Sequence, residues 1–287
     1  MSIKISYSDK IIKSSSANIV LFSKDKFSLS GLKKYLSNNE FSYVNDLLKN
    51  SDLKKNLLIF EVSSKKKIVL ILIKKNIKTS EIENLGYNTF WFSAQKKGYS
   101  GVAIFSKQKP NHVEYGSGID YMDFEGRIIR LDFDKVSIIS LYLPSGTNLD
   151  RLDFKFKFMD DFKDYIYQLN NEIKNLVICG DYNICHKAID IHDPIRNKNI
   201  SGFLPEEREW LDSFIGERFI DSFRFVNSSP HQYSWWSYRA NSRANNKGWR
   251  IDYNIVSKSI EESIVNASIL SDVHHSDHCP IKLELSL

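Results

Sequence analysis

An aspartate and an asparagine one residue apart, Asp181 and Asn183 in "CGDYNICH", close an apolar run that begins at Leu176. A carboxylate and an amide on a common face can hold a hard cation and orient a water or a phosphate oxygen. Strand alternation sends both side chains to one side and Tyr182 to the other, provided the extended conformation lasts that far. The same letters also spell an Asp-x-Asn turn that merely ends a strand. A further acid, Asp252 in "GWRIDYNIVS", lies inside apolar text, where it either pairs with an arginine or orients a histidine. Near the end of the chain, "SDHCP" brings His278, whose ordinary pKa near neutrality suits a general base or proton shuttle, and Asp277, free to face a metal. Each residue has a structural reading by itself; together they are the parts for metal-assisted hydrolysis of a phosphodiester.

Elements able to position these groups are visible as short apolar runs with β-branched and aromatic content. They include "NIVLF", "LLIFEV", "KIVLILI", "NTFWFS", "GVAIFS", "RIIRLDF", "VSIISLYL", "NLVICGD", a strand from Trp249 to Val256, and "PIKLELSL". Helical patterns cover Asn148 to Ile173 and Leu204 to Glu217, the second with Pro205 in its first turn and acids behind it. Strands with helices between them predict an α/β protein of packed sheets with helices outside, and strand ends are where such sheets place ligands. Lys/Ser-rich text gives way to aromatic- and Gly-rich text near Asn76 to Thr79, which divides the chain into 1–76 and 77–287.

The 287 residues carry a formal charge of +5, which favours an anionic partner. All arginines fall at or after Arg127, where guanidinium groups suit bidentate phosphate contacts. Arg239, Arg243, Lys247 and Arg250 are interleaved with aromatics between Tyr233 and Arg250, the mixture a nucleic-acid surface needs for stacking and phosphate contact. Cys179, Cys185 and Cys279 form no CxxC pair, so they read as reduced thiols of a cytoplasmic protein and exclude a zinc site or disulfide frame. The apolar run Ile68 to Ile73 is far short of the roughly 20 residues that span a bilayer.

"GDYNICH", "SGFLPEEREWLDSFI", "YSWWSYRANSRANNKGWRIDYNIVS" and "HSDHCPI", with "LGYNTFWFSAQKKGYSGVAIFSK", "EGRIIRLDF" and "SIISLYLPSG" before them, closely resemble the exonuclease III family of apurinic/apyrimidinic endonucleases. The resemblance covers about Thr79 to the end. It implies a two-sheet α/β sandwich of the endonuclease/exonuclease/phosphatase type and magnesium-dependent, or manganese-dependent, cleavage 5′ to abasic sites with trimming of 3′ ends. Its partner would be double-stranded DNA, met by a monomer with no membrane attachment. By the same resemblance Asp181 positions or deprotonates the attacking water, Asn183 stabilises the pentavalent phosphate, and Tyr142 and His278 touch the scissile phosphate, with Asp252 orienting His278. Asp277 helps to bind the metal with Asp181, Asn183 and His278. Trp235, Trp249 and Ile251 line the pocket for a flipped abasic sugar, and Arg127 and Arg243 contact substrate. The family's opening Asn-x-Asn-Gly and Gln-Glu motifs have no counterpart in residues 1–76, where Glu61 is the acid able to stand in as a metal ligand. That segment resembles, more faintly, the small N-terminal domain of leucyl aminopeptidases. Two rival readings follow: a non-catalytic relic that binds damaged DNA, and a phosphodiesterase acting on RNA or a small phosphorylated substrate.

Overall fold

The computed structural model describes residues 19–24, 27, 29, 33, 36–53, 57–63, 66–73, 79–147, 151–216, 218–274 and 276–287. Residues 76–78 of the expected boundary and 148–150 at the expected start of the long helix lie outside that set. The chain divides into two compact units, Met1–Glu81 and Ile82–Leu287.

In the first unit, strand β1 (Ile19–Lys24), helix α1 (Asn38–Lys49) and strands β2 (Leu57–Ser63) and β3 (Lys66–Ile73) form a three-stranded sheet with one helix, in strand order β1-β3-β2. The helix starts on a reciprocal cap: Ser37 Oγ accepts from the Glu40 N–H, and the Glu40 carboxylate accepts from the Ser37 N–H. Alternation on β2 buries Leu58 and Phe60 against Val44, Ile68 and Leu70, and leaves Ile59 and Glu61 on the outer side. Helix α2 (Thr79–Glu83) follows in sequence.

The second unit runs through β4 (Asn88–Ser93), β5 (Gly101–Ser106), β6 (His112–Tyr115), α3 (Asp120–Asp123), β7 (Ile128–Asp132), β8 (Ser137–Tyr142) and α4 (Leu152–Glu172). It continues with β9 (Leu176–Asp181), α5 (Pro194–Asn197), α6 (Pro205–Ile215), β10 (Phe219–Asp221), α7 (Ser222–Val226), β11 (Asp252–Ser257), β12 (Ile264–Ile269) and β13 (Ile281–Leu285). Six strands form the main sheet in the order β10-β11-β9-β8-β7-β6. Only β8 and β9 are parallel, and parallel neighbours need a long crossover, which α4 supplies. Phe158, Phe162, Ile166 and Leu169, spaced by three or four along α4, are buried together with Met159 and with Trp210, Leu211 and Phe214 of α6 against Ile139, Leu141, Ile178 and Ile255 of the sheet. The opposite face carries the second layer: the β4–β5 hairpin packs on β7 and β8, and the β12–β13 hairpin neighbours β11. This is the expected two-sheet sandwich, with its second sheet present as two separate hairpins among the described residues.

One expected strand is shorter than its apolar pattern. It begins at Asp252, not Trp249, because its partner β9 ends at Asp181. Trp249, Arg250 and Ile251 are instead held one by one, by backbone hydrogen bonds to Trp235, Asp190 and Tyr182.

Candidate active site

Three neighbouring strands end on one line. Tyr142 of β8 pairs in register with Asp181 of β9, and Asp181 pairs with Asp252 of β11. The close approach of β9 to β8 depends on Gly180, whose φ of 155° and tight surroundings exclude a side chain: a Cβ there would lie 1.8 Å from the Leu141 carbonyl oxygen. Asp181 therefore lies between two neighbours, one aromatic and one acidic. Burial, then the charge of Asp252, pushes its pKa up to about 7, against the opposing pull of His278, the Asn183 N–H and Lys155.

Asn183 reaches Asp181 by a route that alternation does not describe. The strand is over, and Asn183 takes a left-handed φ of 52°, a conformation asparagine tolerates better than most residues. Its N–H donates to Asp181 Oδ1 at 2.8 Å, and its Nδ2 donates to Asp181 Oδ2 at 3.1 Å and to the Leu143 carbonyl at 2.9 Å. The turn reading and the site reading thus hold together: the turn is what brings the amide to the carboxylate.

His278 faces Asp252 through Nδ1, 2.9 Å from Oδ2 and 3.1 Å from Oδ1, which leaves Nε2 as the outward nitrogen. Burial disfavours the imidazolium, but the hydrogen bond and charge of Asp252, with Asp181 and Asp277 adding, hold the His278 pKa up at about 9. Asp277 Oδ2 accepts from the Trp235 indole N–H at 3.0 Å, and the backbone carbonyl of Asp277 accepts from the Trp236 N–H. The loop carrying both residues is clasped by Arg243, which lies over the Trp236 ring and donates to the carbonyls of Ser271, Val273 and Ser276. Arg243 thus supports the loop through its backbone.

Trp235, Trp249 and Ile251 do come together, in a cluster with Cys185, Ile191 and Phe203, the two indoles meeting edge to face at 6.0 Å between centroids. Arg127 is buried behind Tyr142. It donates to the Tyr142 carbonyl and to Glu125, and its guanidinium carbon lies 4.7 Å from the centre of the Tyr142 ring. Glu125 also takes both terminal nitrogens of Arg151. Burial and the Asp181 charge raise the Tyr142 pKa, against the pull of Arg127. Beside this group opens a cavity of about 160 Å³ lined by Tyr99, Arg127, Tyr142, Ser145, Thr147 and Arg151.

Glu61 lies exposed on β2, opposite Lys67 in the strand register of the first unit. Among the described residues no three His, Cys, Asp or Glu side chains are grouped to hold a metal ion. The donors fit a narrower arrangement: a hydrated divalent cation bound through one or two carboxylates, with water and phosphate oxygens completing its shell. Asp181, whose raised pKa marks a carboxylate short of compensating charge, is the leading donor.

Sequence reading missed the supports of this site, Glu125, Arg151, Lys155 and Glu207. Lys155 and Glu207 are wholly buried as an ion pair at 2.6 Å, and neither was singled out from the sequence. The usable signal was phase: Lys155 falls among the apolar positions of α4, three residues before Phe158.

Residues 48–278 match the model of the Endonuclease/Exonuclease/phosphatase family. The chain belongs to this family. The span takes in β2 and β3 as well as nearly all of the second unit. Within the family the similarity is to exonuclease III-like AP endonucleases, hydrolases of phosphodiester bonds that depend on a divalent metal. An exodeoxyribonuclease of Bacillus subtilis (strain 168) is 45% identical over 203 residues, 70% of this chain and 80% of its own length. A DNA-(apurinic or apyrimidinic site) endonuclease of Dictyostelium discoideum is 39% identical over 217 residues, 74% of this chain; the chain spans 60% of that longer relative. Among solved structures, the 3′ phosphatase NExo from Neisseria, bound to a product DNA hairpin, superposes with a TM-score of 0.69 over 93% of this chain and 99% of its own, at 22% identity. That likeness carries the fold.

Proposed function

We infer that this member of the family is a DNA repair nuclease that cleaves the backbone 5′ to abasic sites and trims 3′ ends, with magnesium as its cation. The observation that carries the reading is the row Tyr142–Asp181–Asp252 across three strand ends, with Asn183 bonded to the middle carboxylate and His278 to the outer one. An electrophilic phosphate set over this row meets a hydroxyl, an acid whose pKa lies near neutrality, and a cationic imidazole. Asp181 takes or orients the proton of the attacking water. His278 donates from Nε2 to a phosphate oxygen as charge builds there, held charged and in place by Asp252. Tyr142, kept neutral by burial, offers its hydroxyl to the same phosphate. Asp181, with Asn183 and Asp277, would hold the cation, which would supply further charge stabilisation. His278 is better placed for the phosphate than for the cation, because Nδ1 is taken by Asp252 and a charged imidazole has no free lone pair.

Trp235, Trp249 and Ile251 give the apolar wall against which a sugar lacking its base packs, where an intact nucleotide is too large. Duplex DNA fits the positive charge of the chain, and the names of the relatives, an exodeoxyribonuclease and an abasic-site endonuclease, support that substrate. A monomer in a reducing, cytoplasmic setting suits the three free thiols.

The test is incision of a duplex oligonucleotide with one abasic-site analogue, with and without magnesium, by the full chain and by His278→Ala. Magnesium-dependent incision lost in the variant supports the reading. Tight binding of the abasic duplex without incision replaces it with the damage-binding relic. Equal cleavage of intact and abasic duplexes redirects it to another phosphodiester substrate.

A further inference from the structure

The left-handed turn at Asn183 is fixed from three directions. Two belong to the site: its N–H on Asp181, and its side-chain amide on Asp181 and Leu143. The third comes from behind, where the Asn183 carbonyl accepts from Lys155 Nζ at 2.9 Å. Lys155 is paired with Glu207 at 2.6 Å, and neither side chain is exposed at all.

Glu207 makes the pair more than a salt bridge. Its Oε1 also accepts from Ser201 Oγ, and its Oε2 accepts from the N–H groups of Gly202 and Leu204 at 2.6 and 2.9 Å. Gly202 in turn gives its carbonyl to the Cys185 N–H, two residues beyond Asn183. Gly202 has a φ of 99°, and a Cβ there would lie 2.8 Å from the Trp249 ring and 3.3 Å from the Asn183 carbonyl oxygen. One ion pair thus joins α4, the turn after β9, and the loop before α6, and through that loop it reaches the indole of Trp249.

A buried ion pair is a poor way to gain stability, since well-packed apolar residues of similar size serve as well or better. What this pair provides is direction: three donors, from Ser201, Gly202 and Leu204, converge with the ammonium on two oxygens, one carbonyl takes the ammonium, and the geometry they fix is that of Asn183 and Gly202. We propose that Lys155 and Glu207 are positioning residues of the nuclease, which set turnover by holding the Asn183 turn and the Gly202 loop from behind without touching substrate. The catalytic part of this proposal rests on the reading of Asn183 given above.

Two variants test it in the full-length protein: Lys155→Met, and Lys155→Met with Glu207→Gln. The second removes the bond to Asn183 and the buried charges together, while an amide oxygen still faces the N–H groups of Gly202 and Leu204. It therefore keeps the test alive where the single variant does not fold. In the double variant kcat on the abasic duplex is expected to fall by roughly 100-fold, as for a misplacement of about an ångström. KM should stay within about threefold and the thermal midpoint within a few degrees of wild type. Adding Asn183→Ala to this background should cost little more, because the two changes act on one group. Amide hydrogen exchange at Asn183 and Cys185 should speed up while exchange along β9 does not.

Unchanged kcat in a folded double variant, or a loss that simply multiplies with that of Asn183→Ala, overturns the proposal. So does unchanged exchange at Asn183 and Cys185. If the wild-type protein cleaves nothing, the nuclease reading fails, and the exchange measurement alone decides whether the pair holds the turn.

Discussion

Two groups of charges lie only two residues apart on the segment entering β11, and they are built on opposite plans. Around Arg250 two acids meet two arginines: Arg250 donates to both oxygens of Asp190 and to Asp221, and Arg224 donates to Asp190. Burial works against the Asp190 charge, but Arg250 and Arg224 outweigh it and lower its pKa. Around Asp252 two carboxylates stand side by side with one imidazole between them and solvent, and the Asp181 pKa is driven up. The first group is neutralised from within the protein. The second lacks part of its counter-charge, which a cation and a protonated histidine can supply when an anionic phosphate arrives. The difference separates a frame from a site, although the residue types are the same.

His278→Ala should break the second group with the largest effect. Incision is expected to fall by about a thousandfold, within the range for a lost acid or base, with only a modest drop in thermal midpoint, because the imidazolium that offsets Asp252 is partly exposed. A parallel collapse of stability would move His278 into the frame. Arg250→Met tests the other side. It strands Asp190 and Asp221 without their shared cation, and breaking such a buried pair costs about 3–5 kcal/mol, readable as a lower urea midpoint. Turnover of the molecules that remain folded should fall less than tenfold. A large turnover loss at unchanged stability would make the Arg250 group part of the site.

The two plans were unequally legible in the sequence. Asp181 and Asn183 stand out at the end of an apolar run, Asp252 as an acid inside one and His278 as a base next to an acid, and the structure does gather them. How Asn183 arrives was not legible: period-two alternation assumes a strand, and a single left-handed residue replaces it. The strand expected from Trp249 stops short for a similar reason, since pattern reports burial and cannot report whether a pairing partner continues. Arg127 and Arg243 were expected to contact substrate; the structure shows in addition that each donates to backbone carbonyls, and Arg127 also to Glu125. Asp190–Arg250 and Lys155–Glu207 join residues 60 and 52 positions apart, a separation at which one sequence offers no pairing signal.

Asp181→Asn should separate activity from stability at a smaller scale. The amide keeps the shape and removes a charge that burial and Asp252 disfavour. Incision should fall while the thermal midpoint of the metal-free protein rises by about a degree or more, the exchange expected where a site holds a strained charge. A lower midpoint would show that the Asn183 N–H and Lys155 already compensate that charge, and would place Asp181 in the frame.

The smallest effect is a slope, and it tests the contrast most directly. An unfolded aspartate titrates near pH 3.9. Asp190, with its folded pKa below that, contributes stability that is present above about pH 4 and lost as the pH falls through its folded value. Asp181, with a folded pKa of about 7, does the reverse: its contribution is fully present below about pH 4 and is lost as the pH rises through 7. Between roughly pH 4 and 6 His278 is charged both folded, with its pKa at about 9, and unfolded, near 6.5, so it adds no slope there. Urea midpoints of wild type, Asp181→Asn and Asp190→Asn, taken with a chelator across pH 3 to 6, therefore have a definite pattern. Wild type should lose ground to Asp181→Asn as the pH rises above 4, and should lose its advantage over Asp190→Asn as the pH drops below 4. Parallel curves for wild type and Asp181→Asn would mean that Asp181 is as well neutralised as Asp190, and the site would then be a second frame with no charge held in reserve for a cation.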